Sequence, residues 1–335
     1  MIDHTNNESN VGSHMDTDEP AIRWLLRSDD PSIRFLTLTD LLDEPSDSRE
    51  AQTARDQIPS GKRVRGLLGG RRKNGGLGVH PYQKWAGAHW RLVSLTELGY
   101  TARDRNILAA IDQVLRWLTS EIHLRSIKKI NGLTRRCASQ EGNALAVCSR
   151  VGVTDDARVK QLAESLQEWQ WPDGGWNCDK DAHAWHSSFH ESLVPMLGLI
   201  EYHRRTGEAG ALKAAERTAE FLLRHRLFRS EKSGKIIDPS WVKLHYPPYW
   251  HYDILQALRV LALLGRLNDP RAHEALDVVE GKRLPDGRWG VDIRYWRLSS
   301  KLHSGVEVAD WGRKGPNEMI TLNALHVLKQ AGRLR

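Results

Sequence analysis

Three segments of the chain are versions of one turn: Asn74-Gly75-Gly76-Leu77-Gly78, Gln170-Trp171-Pro172-Asp173-Gly174-Gly175-Trp176 and Arg283-Leu284-Pro285-Asp286-Gly287-Arg288-Trp289. They lie about 100 and then about 113 residues apart, a separation that holds two helical hairpins of roughly 50 residues each. The intervening stretches are helical in pattern and nearly free of β-branched alternation. Ala21–Leu42, Trp85–Leu98, Asn106–Leu118, Asn143–Val151, Ala157–Trp169, Ser187–Tyr202, Leu212–His225, Asp253–Leu264, His273–Lys282 and Ile320–Lys329 carry apolar residues at i, i+3, i+4 spacing. Strongly apolar helices (Lys84–Leu98, His186–Tyr202, Tyr252–Leu264) alternate with more polar ones (Arg105–Ser120, Asp156–Gln170, Leu212–Arg226, Arg271–Lys282). A helix apolar on most sides has to be surrounded, whereas one with a single apolar stripe covers a core from outside. The pattern therefore predicts an all-α fold, an α/α toroid (barrel) of about five to six helical hairpins with inner and outer helix rings. We expect one domain over residues 19–335.

Composition limits the function. Of the 335 residues 40% are apolar and 27% charged, and the mean hydropathy is −0.54, as in a globular protein with a sizeable core. No run approaches the roughly 18 uncharged apolar residues of a membrane helix. Residues 1–18 are polar and read as a disordered, tag-derived tail, with Gly12-Ser13-His14-Met15 resembling a vector junction. Cys137, Cys178 and Cys148 form no paired spacing and read as reduced thiols of a cytoplasmic protein. The net charge of +7 is spread along the chain and is densest at Lys62–Lys73. It reads as a solvated basic surface, so nucleic acid is not an expected partner. Thirteen Trp against seven Tyr and four Phe is an unusual ratio that asks for a reason.

The segment Gln161–Trp176, and more weakly Arg283–Trp289 and Asn74–Gly78, resembles the Gln-Trp repeat of the squalene–hopene cyclase and protein prenyltransferase β-subunit superfamily. The resemblance runs from about Ala21 onward and implies a single small α/α toroid with a pocket at the centre of the inner ring. It also implies that Trp171, Trp176 and Trp289 are structural staples. In the prenyltransferases a comparable loop supplies Asp and Cys to zinc, and a later helix supplies His. His251 sits in the register of that His, but the Asp-x-Cys has no counterpart here. The cyclase branch protonates its substrate with an Asp-x-Asp-Asp motif, of which Asp179-Lys180-Asp181-Ala182 keeps two carboxylates.

Parallel inner helices would bring their N-termini to one electropositive mouth, the natural seat of an anionic group. Residues at those starts are the expected substrate contacts: Lys84, Trp85, His89, Arg136, Glu141, Asn143, His183, Trp185, Tyr249, Trp250, Tyr252 and Asn317. The stretch His245–Trp250 is too aromatic for a plain linker and is expected to line or gate the pocket. Asp181 and Asp253 are the candidate acids, with His186, His190 and His251 as bases or orienting partners. His186 and His190 at i, i+4 could chelate zinc together with His251. Zinc is thus admitted, although no cofactor is the leading expectation. Phosphate-cradling, dinucleotide and nucleophile-elbow signatures are absent from the sequence.

These readings lead to a terpenoid-cyclase-like enzyme using acid–base chemistry on a small, partly apolar, anionic substrate. The alternatives are a zinc-dependent prenyltransferase-like enzyme, a lyase or epimerase on the same toroid, and a non-catalytic ligand- or nucleic-acid-binding module.

Overall fold

The computed structural model describes residues 19–298 and 305–334; the expected tail at residues 1–18 lies outside the described residues. The helices run α1 (Pro20–Leu26), α2 (Pro31–Leu36), α3 (Arg49–Gln57), α4 (Lys62–Leu68), α5 (Ala88–Glu97), α6 (Arg105–Leu118), α7 (Glu121–Arg125), α8 (Ser139–Val151), α9 (Ala157–Trp169), α10 (Phe189–Thr206), α11 (Ala209–Arg224), α12 (Ile254–Leu263), α13 (His273–Gly281) and α14 (Glu318–Gln330). A short antiparallel hairpin, β1 (Lys128–Ile130) with β2 (Leu133–Arg135), stands before α8.

Packing sorts the helices into two rings. Within the inner ring α5 contacts α8, α8 contacts α10, α10 contacts α12, and α12 contacts α14; α14 returns to α2 and its π-helical continuation Thr37–Leu41. The outer helices α3, α6, α9, α11, α13 and α1 back onto the inner ring, with α6, α9 and α13 each bridging two neighbouring inner helices. Burial follows the sequence pattern. Every residue of α5 is buried, whereas α6 buries one stripe from Ile107 to Leu118. The inner helices run parallel, since Glu97 and Arg150, at the C-terminal ends of α5 and α8, meet Arg259 from the second half of α12. At the other end the Ser139 N–H, opening α8, donates to Glu191 in the first turn of α10. This is the expected α/α toroid.

The three repeated turns share one geometry. The Trp171 N–H donates to Gly175 O at 2.8 Å and the Gly174 N–H returns to Trp171 O at 2.9 Å. The same pair of bonds joins Leu284 with Arg288 and Gly287, and Arg72 with Gly76 and Gly75. Each turn needs a left-handed residue, and Gly174, Gly287 and Gly75 supply it at φ 105°, 83° and 84°. The indoles that follow act as staples. Trp176 Nε1–H donates to Leu166 O of α9 at 2.9 Å, and Trp289 Nε1–H to Val279 O of α13 at 2.7 Å, in both cases ten residues back. Trp171 instead reaches Thr134 O on β2.

Several boundaries differ from the sequence reading. Ala21–Leu42 divides at Ser28–Asp30, because Asp30 caps α2 and Pro31 occupies its first position. The helix expected from Ser187 begins at Phe189, because the Ser187 N–H and hydroxyl are both held by the Asp173 carboxylate. Helix α3 was not anticipated: its only buried residues are Ala51 and Ala54, too small to register as an apolar stripe.

Candidate functional site

A chamber of about 200 Å³ lies on the toroid axis, and all six inner elements contribute to its wall. Val93, Ala146, Val147, Leu193, Leu197 and Val260 make its aliphatic surface. Polar groups enter in a repeated pattern. Asn143 with Arg150 on α8, Gln256 with Arg259 on α12 and Asn323 with His326 on α14 all line it. The seven helical steps from Asn143 to Arg150 give the chamber a depth of about 10 Å at about 1.5 Å per step.

The side-chain nitrogens of Asn143, Gln256 and Asn323 are buried and have no hydrogen-bond partner among the described residues. The orientation of Gln256 is set by Arg259, whose Nη1 donates to its Oε1 at 2.8 Å, leaving the NH2 group free. Three orphaned amide donors on three separate helices, facing one cavity, form a binding surface for acceptor oxygens.

The two ends of the chamber differ. At the N-terminal ends of the helices Trp85 stacks on Tyr249, with ring centroids 3.8 Å apart and planes within 3°. His251, which lines the chamber, is sandwiched between Tyr295 at 3.5 Å and Trp250 at 4.0 Å. Burial, with the nearby His245, His190 and Lys84 adding to it, lowers its pKa to about 2 and keeps the ring neutral. At the opposite end Glu97 takes one guanidinium nitrogen of Arg150 at 2.8 Å and one of Arg259 at 2.9 Å, and Arg150 also binds Glu201. Burial pushes Glu97 up, but Arg259 and Arg150 outweigh it and hold its pKa at about 2. Asp40 and His326 complete this end, where Arg150, Arg259 and His326 are half-buried. Burial lowers His326, and Asp40 opposes that shift.

The expected electropositive mouth at the helix N-termini is therefore an aromatic layer, and the half-exposed polar end lies at the helix C-termini. Of the residues singled out from sequence, Asn143, Tyr249 and His251 line the chamber. Lys84 is exposed and lies over the Trp250 ring at 4.8 Å. His89 is sealed among Tyr82, Trp90 and Trp117, and burial alone lowers its pKa to about 3. Arg136 is bound by Glu141, with Nε at 2.9 and 3.1 Å from the two carboxylate oxygens. Tyr252 is buried and donates to Leu227 O; Asn317 caps α14 by accepting from the Ile320 N–H.

The candidate acids fall elsewhere. Asp253 is fully buried, caps α12 through the Gln256 N–H at 2.8 Å, and has His245 Nδ1 at 2.7 Å. Asp181 is exposed and accepts the His183 N–H in a run of side-chain turns that begins at Asn177. The three histidines considered for zinc do not converge. His186 precedes α10, so it shares no helical face with His190; its ring is exposed and lies on Trp185, itself 69% exposed. His190 Nδ1 accepts the Tyr252 N–H at 3.0 Å. Among the described residues the one group of three metal-ligand side chains brought together is Cys137, Cys178 and Glu191.

Sequence reasoning missed Gln256, Asn323, Arg259, His326, Arg150, Glu97 and Asp40. The signal that could have found most of them is a polar side chain three or four residues from another inside a helix that is otherwise apolar.

No family model matches the chain, and no curated protein does. Among solved structures it is similar to a variant of the type II terpene cyclase MstE from Scytonema in complex with geranylgeranyl dihydroxybenzoate. The identity is 14%, the alignment covers 94% of this chain and 96% of that one, and the TM-score is 0.45. An unsaturated glucuronyl hydrolase specific for heparin gives 12% identity, 94% and 85% coverage and a TM-score of 0.44. The GH76 α-mannanase BT2949 of Bacteroides thetaiotaomicron gives 10% identity, 73% and 68% coverage and a TM-score of 0.38.

Proposed function

We propose that the axial chamber is the active site of a terpenoid-cyclase-like enzyme that works by proton transfer on a small, partly apolar substrate. The observation that carries this reading is the set of three unpartnered amide donors, Asn143, Gln256 and Asn323, facing a largely aliphatic cavity. Unsatisfied buried donors cost about 1–3 kcal/mol each unless a ligand or water takes them, so the chamber suits a molecule with an apolar body and acceptor oxygens. His326, with Asp40 at the same end, is the proton-transfer group of this reading. Arg150 and Arg259 face the polar end of the substrate, the role expected earlier of Lys84, His89 and Arg136. Glu97, held ionised by the two arginines, is no acid.

The test is turnover of a panel of prenyl diphosphates and prenylated aromatic acids, read by mass spectrometry with thermal shift alongside. Leu197→Trp, which fills the chamber from α10, should lower ligand-induced stabilisation and turnover by at least about tenfold while the far-ultraviolet circular dichroism is unchanged. His326→Asn should lower turnover but leave binding. Turnover that is indifferent to Leu197→Trp would remove the chamber from the chemistry. Binding with every compound returned unchanged would replace the enzyme by a ligand-binding module.

A further inference from the structure

Away from the chamber, three chain segments bring two thiols and a carboxylate to one point. Cys137 lies between β2 and α8, Cys178 two residues beyond the Gly174-Gly175-Trp176 turn, and Glu191 in the first turn of α10. Their ligand atoms lie within 4.8 Å of one another. Main-chain bonds fix the arrangement. Arg135 and Asn177 form a parallel bridge, and the Arg136 N–H donates to Asn177 O at 2.9 Å, which sets the two cysteine segments side by side. Glu191 Oε2 takes the Ser139 N–H at 3.0 Å, so Oε1 is the oxygen turned toward the thiols, 3.8 Å from Cys178 Sγ.

We propose that Cys137, Cys178 and Glu191 form a site for a soft-to-borderline divalent cation, zinc in the first instance, with its fourth position open. The proposal is independent of the chamber and uses none of the three histidines considered from the sequence. The donor set fits zinc: two sulfurs and one oxygen are ordinary tetrahedral ligands, and three protein ligands leave one place for water or an exogenous group. With bonds of about 2.3 Å to sulfur and about 2.0–2.2 Å to oxygen, tetrahedral donors sit roughly 3.5–3.8 Å apart. The three atoms are therefore within about 1 Å of a bound arrangement, a movement that side-chain rotation supplies. The setting also suits a cation. Glu191 is buried and both cysteines are half-buried, so the site is walled on one side and reachable on the other. A cation would hold the two thiols as thiolates and Glu191 as a carboxylate. Binding expels thiol protons to solvent with no change in oxidation state, so affinity should rise with pH.

The experiment uses the full chain, reduced and stripped of metal. Zinc is titrated against a chromophoric chelator, and cobalt(II) is added in a parallel sample. We expect one metal per chain, thiolate-to-cobalt charge-transfer absorption, and protection from alkylation of two of the three thiols, the buried Cys148 excluded. Cys178→Ser should weaken zinc binding by more than about tenfold and remove the charge-transfer band. Glu191→Gln should weaken it while keeping the band. Equal affinity in the wild type and in Cys137→Ser/Cys178→Ser, or cysteine alkylation that zinc does not slow, would overturn the proposal. The alkylation arm needs no variant, so the result stands even if a substitution fails to fold.

Discussion

Glu307 is 4% exposed, and its Oε1 accepts the Val308 N–H at 2.6 Å and the Ala309 N–H at 3.3 Å. Burial raises its pKa to about 7 in spite of those bonds. A carboxyl raised from 4.5 favours the folded state below pH 4.5, and that advantage is lost as the pH rises through 7. The difference is worth at most about 3 kcal/mol at 1.36 kcal/mol per pKa unit. Thermal melts should therefore show wild-type stability falling between pH 5 and pH 8, and Glu307→Gln should flatten that fall; an unaltered slope would place the loss elsewhere. His89 acts at the acid limb. Its pKa is lowered to about 3, so the stability of its neutral form is lost as the pH falls below about 6.5. Sequence pattern singled out His89 because it sits at a helix start. It gave no sign of Glu307, a lone carboxylate in an irregular segment.

Elements were the most legible level. The period of 3.6 residues located the inner and outer helices, and the Gly-rich turns located their junctions, because burial on one or many faces writes itself directly into the apolar pattern. Function at this level was harder to read. The N-termini of the inner helices held the polar and aromatic residues that drew notice, yet most of those side chains cap helices or stack into the layer that closes that end. The groups facing the chamber sit mid-helix, where one polar residue scarcely alters an apolar average. The turn geometry carries its own prediction. A Cβ at Gly174 would lie 2.5 Å from Arg217 O, at a φ that L residues rarely adopt. Gly174→Ala should thus cost more than about 1 kcal/mol in a denaturant titration. Trp176→Phe should cost a similar amount through the lost bond to Leu166 O. Helices α8 and α10 touch just as closely, since a Cβ at Gly198 would meet Gly142 O at 2.5 Å. The width of the chamber between them therefore rests on two glycines.

At the scale of the whole molecule the toroid is joined by its first and last helices. Helix α14 packs on α1 and α2; Ser28 donates to Glu318, and Arg63 binds both Asp30 at 2.9 Å and Glu318 at 3.0 Å. Lys329 reaches Leu41 O and Asp43 across the same seam. Opening that seam also unseats Asp40 and His326, which stand on its two sides and both line the chamber. Arg63→Ala should therefore lower stability and ligand binding together, an outcome that paired melting and binding curves would check. Glu19 is bound by Arg283, and Arg333 binds Glu280 at 3.1 Å, so both ends of the described chain are anchored within a few residues of the end of α13. A circle has no first residue. A short peptide linking Leu334 to Glu19, with the backbone opened instead at the exposed Glu231–Gly234 loop, should yield a circular permutant that melts as one unit.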